Sequence, residues 1–132
     1  LIYEKTNSYI GLDSMPIIGE LKTLFSGSLG CNDCTSLTAL SAPMASSLGF
    51  EGCTSLTALS APMATELNCG GCALTATSIA SILADAVLLP DLDLINFDFT
   101  GGTNAAIGTW SAQAVADKDA IVGAGGTVTF NS

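Results

Sequence analysis

The sequence predicts an α/β solenoid: a short stack of parallel β coils with a 19-residue period, closed by a helix-strand-helix-strand segment. Three observations predict it. The twelve residues CTSLTALSAPMA occupy positions 34–45 and recur letter for letter at 53–64, a step of 19 residues. An exact internal repeat argues for stacked equivalent units, each of which buries its apolar face against the next because it cannot do so alone. Within each copy, Leu37-x-x-Leu40-x-Ala42 and Leu56-x-x-Leu59-x-Ala61 give the apolar spacing of a short strand entering a coil. After Cys72 the repeat decays and the apolar period changes to that of a helix.

Residues 1–14 read as an extended lead-in, or as the continuation of an upstream domain. Tyr3 and Tyr9 are its aromatics, and a strand followed by a turn fits near 11–14. From Met15 a degenerate copy of the repeat fits the same frame: Ile18 falls under Leu37 and Leu56, Leu21 under Leu40 and Leu59, and Leu29 under Leu48 and Leu67. The coil array is therefore placed at 15–76. In the two exact copies, strand alternation turns Leu40 and Ala42 inward. Ala39, Ser41 and Pro43, with Ala58, Ser60 and Pro62, face out as a small, flat, nearly uncharged surface. Each unit turns through Pro-Met-Ala and returns through Leu48 and Phe50, or Leu67 and Cys69, to a glycine before the next cysteine.

Residues 77–132 are predicted to pack on the array as a cap within one structural domain, 15–132. A helix over 78–87, with Thr77 or Ser78 as N-cap and Pro90 as its stop, carries Ile79, Ile82, Leu83, Ala86 and Val87 on one face. Segment 72–90 approaches the length of a membrane span, but its Ser/Thr content and Asp85 mark a one-sided amphipathic helix instead. Ile95, Phe97 and Phe99 alternate with polar residues as a half-buried strand, broken by Gly101 and Gly102. A second helix is expected near 111–122, with Val115, Ile121 and Val122 inward and the glycines of 123–126 as its stop. A final strand over 127–131 ends the chain.

Composition narrows the function. At 132 residues the chain fits one domain. Its net charge is −9, with three lysines (Lys5, Lys22 and Lys118) against 12 carboxylates and no histidine. Such a field repels nucleic acid, which needs a basic footprint. Histidine-dependent triads and arginine clamps lack their residues, and no glycine-rich phosphate loop followed by Lys-Ser/Thr is present. A charged fraction of 11% beside 48% hydrophobic, rich in small side chains, suits repetitive extracellular or virion structure better than a cytosolic enzyme. The opening LIYEKTNSYI has no signal-peptide pattern, so the N-terminus is expected to be processed or to continue something longer.

Four features could carry chemistry. Cys31 and Cys34, with Cys69 and Cys72, form two C-x-x-C knuckles at zinc spacing. In the repeat frame, however, the knuckles lie two coils apart, roughly 9–10 Å, with Phe50 between them, and zinc–sulfur bonds of about 2.3 Å do not span that. The favoured reading is a buried ladder of free cysteines, with Cys34, Cys53 and Cys72 at one position of successive coils; zinc or a disulfide within a knuckle are the alternatives. Asp91, Asp93, Asn96 and Asp98 could supply oxygen ligands to calcium, or form the solvated side of a strand. No carboxylate pair is marked out for glycosidic cleavage. Trp110 reads either as a sugar-stacking platform or as a cover for the core end. A ligand site, if present, is placed on loop 101–110 through Thr103, Asn104 and Trp110, or on the sheet face through Ser41 and Ser60.

The unit CTSLTALSAP at 34–43 resembles the bacterial leucine-rich repeats of the BspA-like type. Residues 97–106, with Ala116-Asp-Lys118 and 126–129, are similar to the C-terminal cap that ends such repeats in bacteriophage and bacterial surface proteins. The resemblance spans about 15–132. It implies short leucine-rich-repeat coils in a non-catalytic recognition or adhesion module without a cofactor, such as part of a phage tail fibre or bacterial surface protein. The implied partners are a host or cell-surface receptor, protein or glycan, or sister subunits of a homo-oligomer, at a virion or cell surface. The alternative is a purely structural virion, fibre or filament subunit. A unit of 19 is shorter than most such repeats, and two exact copies make a short array that leans on its cap or on neighbours.

Overall fold

The structure, a computed structural model, describes residues 2–3, 9–17, 19–24 and 26–132. The strands are β1 (Ile2–Tyr3), β2 (Tyr9–Gly11), β3 (Gly19–Thr23), β4 (Ser28–Gly30), β5 (Leu37–Ser41), β6 (Ser47–Gly49), β7 (Ala58–Ser60) and β8 (Glu66–Asn68). Helix α1 (Ala76–Ala86), strand β9 (Asn96–Phe99), helix α2 (Ala112–Gly123) and strand β10 (Thr127–Phe130) follow. Successive strands alternate between two parallel sheets, ordered β1-β3-β5-β7 and β10-β9-β8-β6-β4-β2. The result is a mixed α/β fold of parallel sheets and two helices, with no closed barrel.

One step of the repeat is one step of both ladders. In the second sheet Ser28, Ser47 and Glu66 stand in one row and Leu29, Leu48 and Leu67 in the next, while Leu40 pairs with Leu59 in the first. The inward leucines are buried, and Phe97 and Val128 extend the second sheet's row. Residues 2–3 and 9–11 of the expected lead-in already pair, with β3 and β4 respectively. The Tyr3 and Tyr9 side chains, and Ile18, lie outside the described residues. The second strand of each unit, at 47–49 and 66–68, is a feature that the repeat pattern did not single out.

Identical sequence gives strands of different length. The residues LTALS form a five-residue strand at β5, whereas the same letters yield only Ala58–Ser60 at β7. β5 has a strand on each side; β7 has β5 on one side and α1 on the other. Tertiary partners, not local propensity, therefore set the strand ends.

Each coil also demands one left-handed residue at the same corner: Ser14 (φ 57°), Asp33 (58°), Gly52 (77°), Gly71 (75°) and Gly101 (71°). The two exact copies are therefore preceded by Asp33 and Gly52 at this place, the residue types that reach this region at least cost.

α1 takes the place of the next strand of the first sheet. Ala73 and Thr75 still donate to Leu56 O and Thr57 O, at 3.0 and 3.2 Å. Thr75 then caps the helix, accepting from the Ser78 amide at 3.1 Å. The cap is thus Thr75 rather than Thr77 or Ser78, and Ala86 is the last helical residue, before Pro90 is reached. Ser78 faces inward because its hydroxyl accepts from the Leu59 amide at 3.0 Å, supplying what a strand would have supplied. Of the expected stripe, Ile79, Ile82, Leu83 and Ala86 are buried, and Val87, at the C-cap, is half-buried. In α2, capped by Ser111, the buried face is Ala114, Asp117 and Ile121, with Val115 half-buried. Val122, expected inward, is exposed. Asp117 is tolerated inside because Gln113 Nε2 donates to its Oδ1 at 2.8 Å, one turn away.

The core runs between the sheets and ends in an aromatic chain: Phe97–Phe99, Phe99–Trp110 and Trp110–Phe130 ring centroids lie 6.0, 6.4 and 5.4 Å apart, edge to face. No helix among the described residues is long and apolar enough to cross a membrane. Phe50 is fully buried between Cys31 and Cys69 of the flanking units. Phe50→Ala is expected to lose about 3–5 kcal/mol in urea unfolding, because a core phenylalanine truncation leaves a cavity that rigid neighbours cannot fill. The exposed Met44→Ala should stay within about 0.5 kcal/mol of the parent.

Candidate functional site

The outer positions of the first sheet form two rows. Lys22, Ser41 and Ser60 make one, Glu20, Ala39 and Ala58 the other. Small side chains leave this face low, and the first turn of α1 rises beside it. Between them lies a groove of roughly 480 Å³, lined by Ser41 and Ser60 from the sheet, by Thr75, Thr77, Ser78 and Ser81 from the helix start, and by Glu20. The Thr75 and Ser78 oxygens accept backbone bonds, and each hydroxyl keeps its proton to donate. The groove thus offers six hydroxyls and one carboxylate around an apolar floor of Ala39, Leu40, Ala58 and Leu59. Sequence reasoning reached Ser41 and Ser60 but not their helical wall. Leu74 follows Cys72 by two residues where Leu56 follows Cys53 by three, and this shortening was the available signal, since it shifts Thr75–Ser78 out of strand register.

Loop 101–110 is built differently from the expected ligand loop. Thr103 is exposed, but Asn104 is 4% exposed and Trp110 7%. The Trp110 ring covers the core end and its Nε1 donates to Ala105 O at 2.9 Å. A smaller cavity of about 330 Å³ lies between Trp110 and the first turns of α1.

Asn104 belongs to a column of inward donors. Cys34 Sγ donates to Leu12 O at 3.1 Å, Cys53 Sγ to Cys31 O at 2.9 Å, and Cys72 Sγ to Phe50 O at 2.9 Å. The next carbonyl in the column, Cys69 O, receives Asn104 Nδ2 at 2.8 Å, and Asn104 Oδ1 accepts from the Leu74 amide at 2.9 Å.

All five cysteines are buried and free. Burial pushes the Cys31 and Cys34 thiols up, and a hydrogen bond with Cys72 followed by burial does so for Cys53. For Cys72 the Cys53 contact pulls down, but Cys69 and burial prevail and raise it to about 12. These are thiols at neutral pH.

The acidic candidates are scattered. Asp91, Asp93 and Asn96 are exposed. The Asp98 carboxylate accepts from the Thr100 amide and hydroxyl at 2.9 and 2.6 Å and from the Thr129 hydroxyl at 2.9 Å. Burial raises its pKa, but the Thr100 and Thr129 bonds outweigh it and hold the group below the usual carboxylate value. Among the described residues no three His, Cys, Asp or Glu side chains converge on a metal-sized site. No family model, no curated protein and no solved structure matches the chain.

Two outcomes follow from the column. A thiol pKa raised by folding lends stability that is full below the unfolded value near 8.5 and is lost as pH rises toward the folded one. Urea unfolding should therefore weaken above about pH 9, by up to about 1.4 kcal/mol per pH unit for each such thiol. Cys53→Ala should flatten that slope whatever its effect at pH 7. Asn104→Leu orphans the Leu74 amide and leaves the Cys69 carbonyl with the Cys72 amide alone, and chemical denaturation should show a loss of about 1–3 kcal/mol for the buried amide left unpaired.

Proposed function

We propose that this chain is a short solenoid of leucine-rich-repeat type, resembling the BspA-like repeats, that serves as a non-catalytic recognition module at a virion or cell surface. Its ligand occupies the hydroxyl-lined groove between the first sheet and α1. The observation that carries this reading is the groove itself: hydroxyls and a single carboxylate surround a low apolar floor. That chemistry suits a polyhydroxylated or amide-bearing ligand, such as a surface glycan or an extended peptide, which needs paired donors and acceptors rather than charge. Solenoid support comes from the constant register step in both ladders. A non-catalytic role is supported by the absence of histidine from the chain, the protonated thiols and the scattered carboxylates.

A second reading, a structural filament or fibre subunit, draws on a different observation. β2 and β10 are the two edges of one parallel sheet, so the edge of one copy can be continued by the opposite edge of another, and such a heterologous contact does not close.

The two readings separate on one variant. Ser60→Trp fills the groove without touching either edge of the second sheet. Binding of the purified protein to a glycan array and to intact bacterial cells should be lost in Ser60→Trp and kept in Thr103→Ala. Assembly by light scattering should be unchanged in both. Equal cell binding by Ser60→Trp and the parent would remove the groove as the site, and assembly without any surface ligand would favour the structural reading.

A further inference from the structure

The large apolar side chains that the fold leaves exposed are not scattered. Among the described residues Leu24, Met44, Met63, Leu88, Leu94 and Val122 are 44% exposed or more, and only Met15 shares that condition elsewhere. Leu24 follows β3, Met44 follows β5, Met63 follows β7, Leu88 and Leu94 lie in the connection from α1 to β9, and Val122 lies in the last turn of α2. Every one sits where the chain leaves the first layer of elements and crosses to the second sheet. Since successive units stack in register, those crossings form one edge of the molecule. The chain thus repeats an energetically unfavourable choice at each level of one edge. Met44 and Met63 hold equivalent places in adjacent units, and exposed apolar side chains repeated along one edge in this way mark an interaction surface rather than chance exposure.

Charge selects the occupant. The carboxylates of Glu66, Asp91 and Asp93 are exposed on or beside the same crossings, and Asp93 lies against the turn at Gly125 that closes the edge. Of the described lysines, Lys22 is on the outer face of the first sheet, and Lys118 pairs with Asp119 and lies 5.5 Å from the Phe130 ring. Neither neutralises this edge. A second copy docked here would set like carboxylates against each other, and an anionic lipid surface would be repelled by a chain of net charge −9. Unbranched, polarizable methionines at two levels adapt to a partner's side chains rather than demanding one shape.

We propose that this edge docks a basic amphipathic segment of a partner protein, its apolar face on the Met44–Met63 level and its lysines or arginines over Glu66, Asp91 and Asp93. The five strands that these crossings enter, β4, β6, β8, β9 and β10, span roughly 19 Å at ~4.8 Å per step, which matches a helix of about 13 residues. The edge is a different surface from the hydroxyl-lined groove, and its occupant is a different class of ligand.

The test uses the full chain and a synthetic helical peptide of about 14 residues carrying leucines on one face and lysines on the other. Isothermal titration should show saturable binding in the micromolar range that weakens with salt. Met44→Ser/Met63→Ser/Leu94→Ser should weaken it at least about tenfold, Met63→Lys should weaken it by repulsion, and Ser60→Trp in the groove should leave it intact. These side chains are largely exposed, so circular dichroism of the variants should match the parent. Equal binding by the triple-serine variant would reduce the interaction to bulk charge and overturn the proposal. So would equal binding of a leucine/glutamate peptide. Dimers that the triple-serine variant dissolves, or binding to phosphatidylglycerol vesicles that it abolishes, would reassign the edge to a second copy or to lipid.

Discussion

The carbonyls of Leu12, Cys31, Phe50 and Cys69 recur at the corner that follows successive strands of the second sheet, and each accepts twice: from the backbone amide three residues on, at 3.1–3.4 Å, and from a core side chain, a thiol or Asn104. The backbone bond closes the turn and satisfies the carbonyl, so the side-chain donor adds a second bond worth about 1 kcal/mol and places its own polar hydrogen on an acceptor inside the core. The donor also has to be small and otherwise apolar, because it stands in a column between packed leucines. A thiol meets both conditions: it is a weak donor on a compact, hydrophobic side chain. Cysteine at the head of both exact copies fits that place. Where the unit lengthens from 19 to 30 residues, the geometry changes and an amide does the same work: Asn104 reaches Cys69 O and also satisfies the Leu74 amide. The chemistry of the column follows from its position. Thiols that donate in a dry core are held protonated, and Cys31, Cys34, Cys53 and Cys72 are all shifted in that direction.

How far the sequence can be read follows from the same register. The parallel order of units, the 19-residue step, the inward Leu40 and Ala42, the alternating Ile95, Phe97 and Phe99 and the buried face of α1 were all legible, because each is a period that burial enforces. The strands at 47–49 and 66–68 were not. A three-residue strand carries a single inward residue, Leu48 or Leu67, and one residue has no period. The boundary of α1 was misplaced for a related reason. Thr75, Thr77 and Ser78 are all competent caps in isolation. What decides among them is the Leu59 amide, 19 residues earlier, which needs the Ser78 hydroxyl as its acceptor and so pulls the helix start upstream. The difference between β5 and β7 makes the point without any change of sequence, since identical letters end differently when a helix replaces the neighbouring strand.

The candidate site was half legible. Ser41 and Ser60 face outward by alternation alone, so their exposure could be read. A concave site needs a second wall, and that wall exists because α1 displaces the next strand. The loop residues were the reverse case. Asn104 and Trp110 have the polar or aromatic character of ligand contacts and stand in a glycine-rich loop. Both are consumed by the end of the core, Asn104 as the last donor of the column and Trp110 as the ring between Phe99 and Phe130. A loop that closes a stack has to satisfy the stack before it can serve a ligand.

The same reasoning separates what this fold can vary from what it cannot. Inward positions are bound to their equivalents above and below, and a change at one level is felt at the adjacent levels through a shared backbone ladder. Outward positions carry no such obligation, which is why Lys22 can become Ser41 and Ser60 along one row. Yet the exposed crossings hold Leu24, Met44, Met63, Leu88, Leu94 and Val122, where serine would fold as well and stay more soluble. Backbone strain does not require them, since none of the six has a positive φ. Core packing does not require them either, since the buried residues at the repeated Pro-Met-Ala turn are Ala45 and Ala64. With folding satisfied elsewhere, the retained apolar surface on that edge is what the proposed docking of a basic segment would account for.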